Sequence, residues 1–205
     1  MFAAAEFWNA KDPSQWTEDE IQALTSKSPW ARAATPTLKG ADDPTEASAG
    51  PGGGGAGAGG GRGGGGPHFR SGVAPVMVRW ESAQPILDAL KAPLAADLAG
   101  HYVISVTNLP MASPRPAGRG GETAPDDALD RLQNGATLQA KGKDPAEAGI
   151  ARRTRIGAIL FGFSREYLRL TPNDRDIFFR LDTGVLNISV KFDGKEMVYR
   201  GKLAV

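Results

Sequence analysis

The sequence contains no cysteine among its 205 residues and only two histidines, His68 and His101. The first absence removes disulfides, thiol catalysis and thiolate metal sites, and the second leaves too little imidazole for a histidine-rich metal centre. No apolar run approaches the roughly 18 to 20 residues that a membrane helix needs, so no membrane span is expected. Charge of one sign is also missing. A formal net charge of +1 and a pI of about 8.0 give no overall pull toward nucleic acid or an anionic bilayer. Two isolated Arg-Gly-Gly triplets, at Arg62 and Arg119, lack flanking aromatic residues and argue against RNA binding.

Charge is nevertheless uneven along the chain. Residues 1–50 carry four basic against eight acidic groups, and residues 139–170 carry seven basic against three acidic ones. This predicts that the two regions attract each other or a shared partner.

Glycine is abundant, with 27 residues. From Gly40 to Pro67 the composition falls to Gly, Ala, Pro, Asp and Glu almost alone, which cannot bury enough apolar surface to offset the entropy of ordering. Residues 40–67 are therefore read as a disordered Gly-rich linker whose glycine part spans roughly 20 to 25 Å. A G-x-G-x-x-G match inside it has no preceding strand and no following helix, so it signals no dinucleotide site. The linker divides an N-terminal aromatic helical segment, 1–39, from an α+β domain, 68–205.

The first segment concentrates Phe7, Trp8, Trp16 and Trp30. Thr17 and Glu20 form a T-x-x-E capping box, and Ser28-Pro29 stops the helix, predicting a helix from Glu18 to about Lys27. Ten residues are too few for a helix to stand alone, so it must dock. Two destinations stay open: the protein's own β domain, or a partner, for which Trp8, Trp16 and Trp30 are the candidate binding residues.

In the second part, Leu186, Ile188, Val190 and Phe192 alternate with polar residues as in a strand with one wet face. Asp193-Gly194 suggests a two-residue hairpin into Met197–Val205. Ile177, Phe179 and Leu181 make another strand, turned by Asp182-Thr183-Gly184. Ile156–Phe163 is apolar on both sets of positions and is expected to be a central strand. Val76–Glu81, a helix capped by Ser82, and His101–Thr107 suggest a crossover unit with parallel strands. Pro125 to Asn134-Gly135 reads as a short helix. Thr137–Lys141 is expected to pair with the central strand as a long-looped hairpin. The expected fold is α+β, a mainly antiparallel sheet of six or seven strands with short helices packed on it.

No catalytic, cofactor or metal residue is assigned. Ser82, Asp97 and His101 follow the chain order of an α/β-hydrolase triad without a G-x-S-x-G elbow. Asn173, Asp174 and Asp176 have oxygens suited to calcium but are explained as a turn. Glu81 and Glu166 are the carboxylates to watch for acid/base chemistry, with nothing in the sequence to pair them. Arg79, Arg152, Arg153 and Arg155 read as a solvated sheet face before an anion patch.

At Phe7-Trp8-Asn9-Ala10-Lys11-Asp12-Pro13, Trp16-Thr17, Ser28-Pro29-Trp30-Ala31, Val78-Arg79-Trp80-Glu81-Ser82 and Met197–Leu203, the chain resembles a group of uncharacterised bacterial proteins, chiefly acidobacterial. Many of these begin with export signals, and no activity is assigned to the group, so the resemblance implies an extracytoplasmic location and no reaction. Ala3-Ala4-Ala5 fits either the end of a trimmed export signal or a plain cytoplasmic start. Two functions are carried forward. One is a non-enzymatic binding or structural module that engages a protein partner through the aromatic segment or an open sheet edge. The other is a hydrolase or small-ligand enzyme with a site between helices and sheet.

Overall fold

The structure, a computed structural model, describes residues 6–39, 73–110 and 125–205. The expected linker, His68, both Arg-Gly-Gly triplets and Ala3–Ala5 lie outside the described residues. In chain order the elements are helices α1 (Phe7–Ala10) and α2 (Glu18–Ser26), strands β1 (Ala31–Ala34), β2 (Thr37–Leu38) and β3 (Val76–Trp80), then α3 (Gln84–Leu90). There follow β4 (His101–Thr107), α4 (Pro125–Asn134), β5 (Ala136–Ala140), β6 (Ala146–Glu147), β7 (Ile150–Arg153) and β8 (Ile159–Ser164). The chain closes with β9 (Ile177–Asp182), β10 (Leu186–Phe192), β11 (Val198–Tyr199) and β12 (Lys202–Leu203).

The α+β class with antiparallel pairing holds, but the strands form two sheets instead of one. The first runs β1-β3-β4-β8-β7, the second β2-β10-β9-β5-β6, and β11 and β12 make a separate ribbon. Their apolar faces meet. Trp80 of the first sheet packs edge-on against Phe192 of the second at 5.8 Å, and Phe161 and Phe163 contact Phe179 at 5.8 and 6.2 Å. Each fully buried side chain of this size contributes about 1.5–3 kcal/mol. Among the described residues no helix is long and apolar enough to cross a membrane.

Both margins of the two-sheet stack are bridged by chain passing from one sheet to the other. β1 pairs with β3 of the first sheet, and β2 pairs with β10 of the second after a break of only residues 35–36. At the other margin β6 pairs with β5, Ala148 N–H donates to Ala136 O, Gly149 N–H donates to Gly162 O, and β7 then pairs with β8. Strands that switch sheets at a corner are a known way of limiting exposed edges.

Several expectations are corrected. β3 and β4 are antiparallel, with Val78 opposite Val106. The connection of residues 81–100 is long enough for either sense, but the chain re-enters at the end of β3 that it left, with Trp80 opposite Ile104 and Glu81 N–H donating to Val103 O. Ser82 does not cap α3, whose cap position is Ala83; its hydroxyl accepts from Val103 N–H at 3.0 Å and is buried. β5 and β8 belong to different sheets, so the expected hairpin between them is replaced by the corner through β6 and β7. β8 starts at Ile159, because Ile156 and Gly157 sit in the tight turn closed by Gly157 N–H to Thr154 O.

Asp193-Gly194 is not a two-residue hairpin either. The chain leaves β10 through a longer turn, Met197 N–H donating to Asp193 O. Gly194 is needed for close approach: its N–H donates to Asp174 O, and a Cβ there would lie 2.3 Å from that oxygen. The true two-residue turn is Arg200-Gly201, both at positive φ, between β11 and β12.

The N-terminal segment is built into the same core. α2 carries the expected capping box, Glu20 N–H to Thr17 Oγ1 at 3.3 Å and Thr17 N–H to a Glu20 carboxylate oxygen at 2.9 Å. Lys11, bonded to Glu20, is the main reason that carboxyl is held below its ordinary range. Leu24 and Trp30 are fully buried. The ion pairs of this segment, Asp12 with Arg200, Arg32 with Glu196 and Lys39 with Asp182, do not reach residues 139–170. Among the described residues no ion pair joins those two regions directly.

Candidate functional site

The three candidate tryptophans face inward. Trp8 and Trp16 are 7% exposed and Trp30 is sealed, donating its indole N–H to Ala204 O at 2.6 Å. They join a chain of edge-on aromatic contacts, Trp16 to Phe7, Phe7 to Trp8, and Trp8 to Trp30, that meets the C-terminal ribbon where Trp16 contacts Tyr199. The surface these rings would offer a partner is spent on the protein's own core.

A recess of about 620 Å3 lies between α3 and the C-terminal ribbon. Several of its polar groups are already engaged. Tyr199 hydroxyl donates to Asp88 at 2.8 Å, Gln84 donates to the other oxygen of Asp88 at 2.6 Å, and Arg165 donates to Val205 O at 2.5 Å. Burial first, and then the Asp88 carboxylate, push the Tyr199 phenol up to about 12. A phenol held protonated this firmly is a poor base or nucleophile near neutrality. The residues of the rejected triad also go separate ways: Ser82 to Val103, Asp97 to Arg152, His101 to Ala99 O. Near Glu166 the bond is to its backbone, the Glu166 N–H donating to Ser164 Oγ, and its carboxylate forms no ion pair among the described residues. Asp174 closes the turn before β9, accepting from Thr171 N–H and hydroxyl and from Lys143. Of the four arginines weighed as an anion patch, Arg79 is paired with Glu81 and Arg152 with Asp97. Among the described residues no three His, Asp or Glu side chains converge as metal ligands.

A second depression, of about 690 Å3, lies on the outer face of the second sheet. Strand alternation builds it: with Leu138, Phe179, Leu181, Ile188 and Val190 turned inward, their neighbours must turn out. Register then aligns Thr137, Arg180 and Ser189 in one row across β5, β9 and β10, with Asp182 beside Asn187 in the next. The end of α4, with Arg131 and Asn134, makes one wall. Lys39 after β2 and the Thr183-Gly184 turn make the other. That turn is the one expected from the sequence, with Thr183 N–H donating to Leu186 O at 2.9 Å.

The charges in this groove are not all matched. Lys39 pairs with Asp182 at 2.6 Å, and this contact chiefly, with Gly184 N–H second, holds the Asp182 carboxyl below its ordinary range. Arg180 bonds Gln139 at 2.9 Å and lies 5.0 Å above the Phe178 ring. Among the described residues neither Arg180 nor Arg131 forms an ion pair with a carboxylate. Beside the Thr183-Gly184 turn, Val185 is 64% exposed and its carbonyl accepts from Lys39 N–H, whereas Leu38 stands opposite Leu186 and so belongs to the inner face. Sequence alternation marked Asn187 and Ser189 as wet, but only register shows which side chains they stand beside.

No known protein family, no characterised protein and no solved structure matches the chain.

Proposed function

We propose that the protein is a non-enzymatic binding module that holds a protein partner in the groove on the outer face of the second sheet. The observation that carries this reading is a polar groove holding two guanidiniums, Arg131 and Arg180, that form no ion pair among the described residues, with the exposed Val185 next to its Thr183-Gly184 wall. An apolar contact flanked by hydrogen-bonding groups is the usual make-up of a protein interface. The aromatic segment is a weaker candidate for the same role, since the indoles are buried, and the edge of β10 is shortened where β2 pairs with its first two residues. The hydrolase alternative has less support: in the recess beside α3 the Asp88 carboxylate is taken by Tyr199 and Gln84, and the Tyr199 phenol is driven away from reactivity. The resemblance to exported bacterial proteins extends the proposal to an extracytoplasmic site of action.

The test is site-specific cross-linking in cells of the source organism, with a photoreactive phenylalanine analogue at Ser189 in the groove or at Tyr167, which is 87% exposed elsewhere. A discrete protein adduct from Ser189 alone is expected. Equal labelling from both positions would refute the reading.

A further inference from the structure

We propose that the partner presents an acidic, extended peptide segment with interspersed apolar side chains, its carboxylates taken by Arg131 and Arg180 and an apolar group resting against Val185. This rests on the groove being the binding surface and adds the chemistry of what binds.

Charge accounting in the groove comes first. Lys39 is committed to Asp182, and Lys191, further along β10, is committed to Asp176 at 2.5 Å. The two guanidiniums remain. Arg180 is held from two sides, by Gln139 and by the Phe178 ring, so its orientation is set before any ligand arrives. A guanidinium has five donors, and a planar fork of this kind matches a carboxylate bidentately. Arg131 stands in the last turn of α4, on the wall facing that floor.

The mode of recognition follows from topology. β9 is paired on one side with β10 and on the other with β5, and β10 is paired with β9 and, at its first residues, with β2. β9, which carries Arg180, therefore has no free ladder for an added strand, so an occupant is met there by side chains, whereas β10 beyond Asn187 is paired on one side only among the described residues. Side-chain reading by exposed arginines is salt-sensitive and of modest strength. A glycan fits less well, because the aromatic ring on this face, Phe178, lies under Arg180 and offers no open platform. A nucleic acid fits poorly too, since Asp182 lies among the groove residues and the chain as a whole is close to neutral.

The experiment uses the full chain and fluorescein-labelled ten-residue peptides alternating Glu with Leu, Gln with Leu, or Lys with Leu, followed by anisotropy at low salt. The Glu/Leu peptide is expected to bind about tenfold more tightly than the Gln/Leu peptide, with the difference shrinking as salt rises. In the double variant Arg131→Glu, Arg180→Glu the order should invert, the Lys/Leu peptide now binding best. That gain cannot come from a misfolded protein. Equal binding of the Glu/Leu and Gln/Leu peptides would refute the acidic class while leaving the groove in place. No peptide binding, with a discrete adduct still formed from Ser189, would do the same. Polygalacturonate bound in an arginine-dependent way with no binding of the Glu/Leu peptide would overturn the peptide assignment in favour of an acidic glycan. Loss of both peptide binding and the Ser189 adduct would remove the groove reading itself.

Discussion

The outer faces of the two sheets are built on the same alternation and end up opposite in character. On the first sheet Val103 and Ser105 are buried although they point away from the shared core: Leu98, itself 1% exposed, lies over Gly162, the cross-strand partner of Val103, and Ser105 bonds the Glu81 carboxylate. Gly162 makes room for this cover: a Cβ there would stand 3.5 Å from Leu98 and 3.2 Å from Ile150. The polar groups of that face are consumed locally. Glu81 accepts from Ser105 at 2.5 Å and from Arg79 at 2.9 and 2.7 Å, and Arg152 meets Asp97. The second sheet's face is left open, with Arg180, Asn187 and Ser189 exposed. Connection length explains the difference. β3 and β4 are joined by residues 81–100, long enough to lie back over the sheet, whereas β9 and β10 are joined by residues 183–185, which only turn the chain round. A covered face serves the fold; an open one is free for a ligand.

The strongest way to break this contrast is to place the same charge on each face. Val103→Asp puts a carboxylate at a buried position with no partner and is expected to cost about 4 kcal/mol or prevent folding. Ser189→Asp should stay within about 0.5 kcal/mol of the parent in urea denaturation. Similar losses from both would mean that the second face is covered as well.

Removing one carboxylate from each face gives the next largest effect. Glu81→Ala strands the guanidinium of Arg79 and the buried hydroxyl of Ser105, for a cost of about 2–3 kcal/mol. Asp182→Ala breaks a solvent-washed pair with Lys39 and should cost no more than about 1 kcal/mol. Thermal and urea midpoints of the two variants, read together, check whether polar groups on the first face are structural and those on the second are not.

How much of this was legible in the sequence depends on how local the cause is. The capping box of Thr17 and Glu20, the alternation of Leu186 to Phe192 and the turn at Thr183-Gly184 act within a few residues and appear where expected. The division into two sheets was not legible, since the edge segments Ala31–Ala34 and Ile150–Arg153 carry no clear apolar alternation and their sheet is chosen by distant partners. The both-sided burial of β8 was visible, but its cause, Leu98 lying across Gly162, depends on a contact sixty or so residues apart in the chain. Gly194 looked like a hairpin glycine and proves to be an approach to Asp174 O. The groove was the least legible. Arg131, Arg180 and Lys39 are ordinary surface residues until register and the end of α4 gather them.

Acid separates a carboxylate locked in a turn from one on the open face. Partial burial opposes the charge of Asp174, but the bonds from Lys143 and from Thr171 outweigh it and hold this carboxyl below its ordinary range. A carboxyl depressed in the folded state stabilises above its unfolded value, near 3.9, and the contribution is lost as pH falls through the folded value. Asp174→Asn should therefore cost about 1–2 kcal/mol at neutral pH and flatten the loss of stability below about pH 4. Asp182→Asn, on the open face, should leave most of that acid dependence in place, and the reverse ranking would place structural weight on the groove.

The smallest expected effect lies at the opposite end of the pH scale. Tyr199 is raised to about 12 by burial and by the acceptor carboxylate of Asp88, so the folded protein keeps this proton when the unfolded chain, near 10, has lost it. Its contribution is complete below pH 10 and disappears as pH rises toward 12, the opposite direction from Asp174. Tyr199→Phe keeps the ring against Trp16 and removes only the bond to Asp88, which Gln84 still contacts, so about 1 kcal/mol should be lost at neutral pH. The variant should also lose less stability than the parent between pH 10 and 12. An unchanged alkaline limb would mean that the phenol ionises freely, which would reopen the recess beside α3 as a place where chemistry is possible and weaken the case for the groove.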